Sequence, residues 1–220
     1  MRRRPVEASA GGRELRLDEV DRPLELVPGR GAWEVELGFG KGRFLLARAG
    51  AAPERRFLGV EVACEYYRRV VRAARRRGLQ NLLLLRGEAL FLLAAVLPRG
   101  FAATLHVYFP DPWPKSRHHK RRLFDPESVD LVVGLLRPGG RLCFATDHLE
   151  YGAEVAQLLV SFPGLAVERL DGPWPEGART SYEAKYLAEG RPILRLEATV
   201  LRPPSLHPLG EQAVTVGRRR

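Results

Sequence analysis

The sequence predicts a parallel, doubly wound α/β sheet, and three observations carry that expectation. From Ala32 onward, short apolar runs alternate with helix-like stretches. Seven such runs occur, at residues 33–37, 57–60, 82–85, 104–109, 141–146, 165–169 and 193–201. The last is long and partly alternating with no clear helix before it, which predicts an antiparallel strand at the sheet edge.

The helices between these runs have their own signatures. Over 64–77, Tyr67, Val70, Val71 and Ala74 fall on one face at i, i+3, i+4 and i+7, while Arg68, Arg69, Arg72, Arg75 and Arg76 take the other. Gly78 is placed to close that helix. Asp125-Pro126 is an N-cap followed by proline at N1, opening a second helix that ends before Pro138-Gly139-Gly140. Residues 1–31 read as a basic N-terminal extension, 32–202 as one domain and 203–220 as a C-terminal tail.

A chain of 220 residues with 45% hydrophobic content suffices for one sizeable core. No apolar run approaches the ~20 residues of a membrane span, and no apolar signal segment follows the basic start, so a cytoplasmic location without membrane attachment is expected. Cys64 and Cys143 lack metal-ligand spacing and read as small core residues; His118 and His119 have no Cys/His partners at ligand spacing, so no metal is expected. Oligomeric state stays open between monomer and homodimer. The net charge of +10, nearly all from arginine, fits a polyanionic partner.

The first strand runs into Glu36-Leu37-Gly38-Phe39-Gly40-Lys41-Gly42. Glycines there allow a sharp turn and close approach to a ligand, with Gly38 and Gly40 the candidate contacts. The spacing is G-x-G-x-G, with Arg43 where a dinucleotide fingerprint has its third glycine. Glu36 would repel a pyrophosphate but attract an ammonium, which favours the amino-acid end of S-adenosylmethionine (AdoMet) over NAD. Glu61 ends the second strand, where ribose hydroxyls are bound, and Glu88 follows the third, placed to accept from an adenine amino group.

The fourth strand leads into Phe109-Pro110-Asp111-Pro112-Trp113-Pro114-Lys115, then Ser116-Arg117-His118-His119-Lys120-Arg121-Arg122. Prolines stiffen the turn around Asp111, the candidate catalytic residue, which also faces the cofactor. Lys115, Arg117, Lys120, Arg121 and Arg122 are expected to hold phosphates, giving orientation and salt dependence without reading sequence.

Together, the Glu36-to-Gly42 loop, Gly59-Val60-Glu61 and the Pro110-to-Arg122 block resemble bacterial tRNA (guanine-N7)-methyltransferases, the TrmB family. The resemblance spans about 33–200 and makes 32–202 a methyltransferase domain. It implies a class I AdoMet-dependent methyltransferase fold, here a seven-stranded, mostly parallel sheet, with tRNA as partner and 7-methylguanosine formed at position 46 of the variable loop. It also implies that Asp147 contacts substrate and that Thr180, Ser181, Tyr182 and Glu183 match the family's T-x-x-E substrate loop. Glu88 stands where relatives often have Asp.

Two alternatives remain at this point. One keeps the fold but methylates an exocyclic amine, since Asp111-Pro112-Trp113 is built like the Asn/Asp-Pro-Pro-aromatic turn of amino-methyltransferases. The other is a non-catalytic tRNA-binding subunit, against which Glu36, Gly38, Gly40, Glu61 and Asp111 argue. The glycine spacing and Glu36 disfavour a dehydrogenase.

Overall fold

The computed structural model describes residues 7–11, 13–16 and 31–201, with no side-chain placement for 13–16, Ser116 or Lys120. The chain runs β1 (Glu7–Ala10), β2 (Arg13–Arg16), β3 (Trp33–Leu37), α1 (Arg43–Ala51), β4 (Arg56–Glu61), α2 (Cys64–Arg76), β5 (Leu82–Arg86) and α3 (Ala89–Ala95). It continues through β6 (Ala102–Tyr108), a 3₁₀ helix (Ser116–Arg121), α4 (Val129–Gly134), β7 (Leu136–Thr146), α5 (Leu149–Ser161), β8 (Leu165–Arg169), α6 (Ser181–Ala188) and β9 (Leu194–Val200).

The described strands form one sheet in the order β2-β1-β5-β4-β3-β6-β7-β9-β8. Pairing is parallel from β5 through β7, as the alternation of runs and helices predicts. Two expectations need correction. There are nine strands among the described residues where seven were expected, because β1 and β2 form a hairpin whose first strand pairs antiparallel with β5. Part of the stretch 1–31 therefore belongs to the sheet, and Arg86 fastens it by an ion pair to Glu7 at 2.6 Å. In addition, β9 is antiparallel but not at the edge: it lies between β7 and β8 and pairs with both. The C-terminal tail, residues 203–220, lies outside the described residues.

Register explains why the strands of this sheet are apolar throughout. Successive side chains leave opposite faces. Leu83 and Leu85 join the core beneath α3, α4 and α5, while Leu82 and Leu84 join the core beneath α1 and α2. Both faces are covered, so the uninterrupted Leu82–Leu85 run is what a central parallel strand needs. On β3, Trp33, Val35 and Leu37 enter the first core, which turns Glu34 and Glu36 toward the α1 side.

Helix ends follow local chemistry. Gly78 adopts φ 64° after α2, and Leu79 N–H bonds back to Ala74 O at 3.1 Å, closing the helix as expected. Asp125 does cap, accepting from Glu127 and Ser128 N–H at 2.8 Å, but it caps a turn and α4 begins only at Val129. Asn81, the sole asparagine, is buried and donates to the carbonyls of Ala49, Ala52 and Arg55 at 3.0–3.1 Å. Cys143 is buried as expected, whereas Cys64 is only half-buried at the start of α2. No helix among the described residues is long and apolar enough to cross a membrane.

Candidate active site

The C-terminal end of β3 opens into a turn in which Gly38, Gly40 and Gly42 all have positive φ, at 75°, 49° and 70°. Side chains rarely adopt such angles, so glycine is required there. A Cβ on Gly42 would also lie 2.5 Å from Val70 of α2, which packs α2 against the loop. At Gly38 and Gly40 the space beyond the backbone is open. These residues line a cleft of about 260 Å³ with Glu36, Phe39, Lys41, Tyr108 and Phe109 on one side and Thr180, Ser181, Tyr182 and Lys185 on the other.

Glu34 and Glu36 share a strand and a face but differ in state. Burial works to raise the Glu34 pKa, but hydrogen bonds with His106, Arg48 and Arg55 prevail and hold it at about 2. Glu36 is only 2% exposed, and no ion pair forms to it among the described residues. Burial first, then the charge of Glu61, pushes its pKa up to about 8, against one hydrogen bond from the Leu45 N–H. That bond supplies α1 with a partner in its first turn, where the helix has no acid of its own. Among the described residues, the Oε2 of Glu36 has no hydrogen-bond partner. A buried carboxyl oxygen left without a partner is costly unless a ligand completes it. An ammonium group fits that need.

Glu61 accepts from Gly40 N–H and Ala63 N–H, each at 2.8 Å, and so ties the glycine turn to the start of α2. Glu88 is exposed and accepts from Leu90 and Phe91 N–H at 3.1 and 2.7 Å, capping α3, and it does not line the cleft. Asp111 is exposed on the turn after β6. On either side of it, Phe109 and Trp113 hold φ of 52° and 40°. For residues other than glycine this stores about 1–3 kcal/mol each and is kept only where surroundings impose it. The Phe109 N–H bonds to Ala145 O at 2.7 Å, and the Arg122 Nε–H bonds to Pro112 O at 2.8 Å.

Two tyrosines of α6 lie within the electrostatic reach of these acids. The Tyr182 pKa is raised by burial, then by Tyr66, to which it hydrogen-bonds, and by the charges of Asp111 and Glu61. Burial likewise raises that of Tyr186, followed by the charge of Asp147. Asp147 itself accepts from Arg191 at 3.4 Å. Neither Asp111 nor Asp147 lines the cleft; the Asp111 charge acts on Tyr182, which does, and that of Asp147 acts on Tyr186, whose ring centroid is 5.5 Å from that of Phe109.

A methyltransferase family model (Methyltransf_4) matches residues 31–196. A Nitrosococcus oceani tRNA (guanine-N(7)-)-methyltransferase is 37% identical over 168 residues, covering 76% of this chain and 71% of the relative. A protein of the same name from Anaeromyxobacter dehalogenans is 41% identical, covering 76% of this chain and 84% of its own. The chain belongs to the tRNA (guanine-N(7)-)-methyltransferase family. Among solved structures, a SAM-bound 16S rRNA (adenine(1408)-N(1))-methyltransferase from Catenulisporales acidiphilia superposes with a TM-score of 0.58, covering 90% of this chain and 98% of that one at 20% identity. The 16S rRNA methyltransferase KamB reaches 0.61 at 17% identity, covering 88% and 99%. These likenesses establish the class I methyltransferase fold.

Within this methyltransferase, the residues expected to touch substrate divide into two groups. Lys115, Arg117 and Arg121 are exposed along the 3₁₀ helix, with the Arg121 guanidinium 5.0 Å from the Trp113 ring. Lys120 lies outside the described side chains. Arg122, expected with them, is instead 5% exposed, ion-paired to Glu154 and stacked 4.8 Å over Tyr151. These contacts and its bond to Pro112 O fasten the Asp111 turn. Thr180 caps α6 by accepting from Glu183 N–H at 3.0 Å. Glu183 is fully buried, accepting from Arg179 N–H and from the Arg195 guanidinium, while Ser181 and Tyr182 face the cleft.

Sequence reasoning passed over Arg179. Its guanidinium lies 3.8 Å from the Trp174 ring and bonds to Tyr108 Oη at 2.6 Å and Glu176 Oε1 at 2.7 Å. An arginine beside a T-x-x-E match was the available signal, but Tyr108, the partner that ties it to the cleft, is 71 residues away along the chain. Tyr66 was equally hidden, since only the tertiary fold brings it to Tyr182.

Proposed function

We propose that this chain transfers the methyl group of AdoMet to N7 of guanine in tRNA, at position 46 of the variable loop, in the cytoplasm. The observation that carries this reading is the Glu36 oxygen, unpartnered among the described residues, in a glycine-walled cleft also lined by Tyr182, on which the Asp111 charge acts. Glu36 would accept from the cofactor's ammonium group and Glu61 from its ribose hydroxyls, while Gly38 and Gly40 let it approach the backbone. Glu88, through its free lone pairs beyond the α3 cap, is the candidate for the adenine amino group.

When bound, AdoMet supplies an electrophilic methyl on a sulfonium; transfer to the N7 lone pair leaves a neutral thioether and a cationic guanine. N7 carries no proton, so no general base is required. Alignment is the main demand. Asp111 would stabilise positive charge developing on the ring or accept from guanine N–H groups. Asp147 would accept from the Watson–Crick edge, turning the N7 edge to the sulfonium. Ser181 and Tyr182 would contact the nucleotide, with Thr180 and Glu183 positioning them. Lys115, Arg117, Lys120 and Arg121 would hold phosphates around it.

Incubation with labelled AdoMet and unmodified tRNA, followed by nucleoside mapping, tests the reading. The expected product is 7-methylguanosine at position 46; an N2- or N6-methylated nucleoside would overturn it. Asp111→Ala should lower turnover by about 10²–10³-fold with AdoMet affinity intact, and near-normal turnover would remove Asp111 from its assigned role.

A further inference from the structure

The outer face of α2 is the most strongly charged element that the active site does not use. Its inner face, Tyr67, Val70, Val71 and Ala74, is buried against α1 and the sheet. Outward point Arg68, Arg69, Arg72, Arg75 and Arg76, all exposed. Arg68, Arg72 and Arg75 follow one another at i, i+4 and i+7, and Arg69, Arg72 and Arg76 make the adjoining row. Residues at these spacings are neighbours on a helix surface. The result is one cationic strip along a helix of about 20 Å, with an arginine at each turn of about 5.4 Å.

This strip is not neutralised within the described structure. Several arginines elsewhere are matched: Arg48 and Arg55 to Glu34, Arg99 to Asp130, Arg179 to Glu176. None of the five α2 arginines pairs with a described carboxylate, and the sole acid of the helix, Glu65, lies in its first turn. Like charges at i, i+4, as at Arg68–Arg72 and Arg72–Arg76, weaken a helix. A solvated face alone gains nothing from that arrangement, whereas a polyanion would relieve the repulsion. Arginine suits phosphate in particular, because its planar fork donates two parallel hydrogen bonds.

The strip also starts at the active site. Ala63, the N-cap of α2, donates to Glu61; Tyr66 in the first turn hydrogen-bonds Tyr182; and Val70 packs against Gly42. A nucleic acid with one nucleotide in the cleft would meet α2 as it leaves. Continuity with the cleft favours RNA over an acidic protein as the occupant.

We propose that the outer face of α2 is a second tRNA-binding surface, with Arg68, Arg72 and Arg75 contacting phosphates away from the methylated nucleotide. This rests on the tRNA reading of the active site. It assigns part of the binding energy to a surface that neither touches the guanine nor reads sequence, and so predicts weaker tRNA binding with unaltered chemistry when it is discharged.

The test compares the full chain with Arg68→Gln/Arg72→Gln/Arg75→Gln and with the matching triple Lys variant. Methylation rates on full-length unmodified tRNA are measured over a KCl series, with AdoMet affinity as the check on folding. The Gln variant should raise KM for tRNA at least about 10-fold and flatten the log–log salt slope by about 2–3, since each phosphate contact contributes about 0.7–0.9. Its kcat and AdoMet affinity should be unchanged, and the Lys variant should keep most of the slope. A Gln variant with the parent's KM and slope overturns the proposal while leaving the active-site reading intact. A parent enzyme that methylates no tRNA overturns that reading and this proposal with it. Should the triple variant lose AdoMet affinity, single Arg72→Gln decides: a slope unchanged from the parent's overturns the proposal, and a slope reduced by about 1 supports it.

Discussion

Glu183 Oε1 accepts from both Nε and Nη2 of Arg195, at 2.9 and 2.7 Å, with the two side chains 0% and 4% exposed. Its other oxygen accepts from the Arg179 N–H at 2.8 Å. One carboxylate thus holds α6 against β9 and fixes the chain entering α6, which presents Ser181 and Tyr182 to the cleft. Removing one partner of a buried pair leaves the other charge uncompensated, a loss of about 3–5 kcal/mol. Glu183→Ala should therefore lower the urea midpoint steeply, while Ser181→Ala should leave it in place. Equal stability of the two variants would show that Glu183 acts by touching substrate alone.

Neighbouring arginines should separate in the same way. Arg122 is buried, bonds to Pro112 O and pairs with Glu154, whereas Arg121 is exposed over Trp113. Arg122→Ala is expected to lower Tm and kcat together, because the strained turn from Phe109 to Trp113 loses its fastening. Arg121→Ala should raise KM for tRNA and reduce its salt dependence, leaving Tm unchanged. Thermal melts beside steady-state kinetics check both.

The contrast shows which parts of the site were legible in the sequence. The glycine turn and the acids at strand ends could be read because a parallel sheet ties such residues to one edge. Whether a charge meets solvent or a partner depends on contacts distant in sequence. The long, partly alternating run at 193–201 read as an edge strand, yet Glu183 neutralises Arg195 and β8 pairs along its far side. Arg122 looked like one more member of a cationic run until Glu154, 32 residues on, supplied its counter-charge. The hairpin of β1 and β2 carries Gly11-Gly12 as a turn signal, but its short polar strands show little alternation.

Arg179 offers a test of how the cleft wall is set. It clamps Trp174 and Tyr108 together, and Tyr108 directly precedes the Phe109 turn. Arg179→Lys keeps the charge but loses the planar stack and the fork. We expect kcat to fall about 10-fold or more, consistent with the cost of small misplacements in a reaction governed by alignment, with little change in AdoMet affinity. A variant with unchanged kcat would show that Tyr108 is held by packing alone.

The pH dependence of stability should reveal Glu36. Its pKa in the folded protein is about 8, against an ordinary 4.5, chiefly through burial and then through Glu61. Between those values the native state holds a proton that the unfolded chain has lost, so stability falls as pH rises, by up to about 1.4 kcal/mol per unit. Above about 8 the carboxyl is ionised in both states and its slope ends. Two other groups act with the opposite sign. Glu34, held at about 2, adds stability above 4.5 that is lost as pH falls toward 2. His106, whose pKa burial lowers from 6.5, costs stability as pH falls below that value. The window from about pH 7 to 8 therefore isolates Glu36. Urea midpoints should decline across it in the parent and stay flatter in Glu36→Gln; an identical decline would place the titrating group elsewhere. A ligand ammonium beside Glu36 favours its charged form, so AdoMet should bind with proton release and gain affinity up to about pH 8. Calorimetry in two buffers of different ionisation enthalpy measures that proton directly, and Glu36→Gln should abolish it.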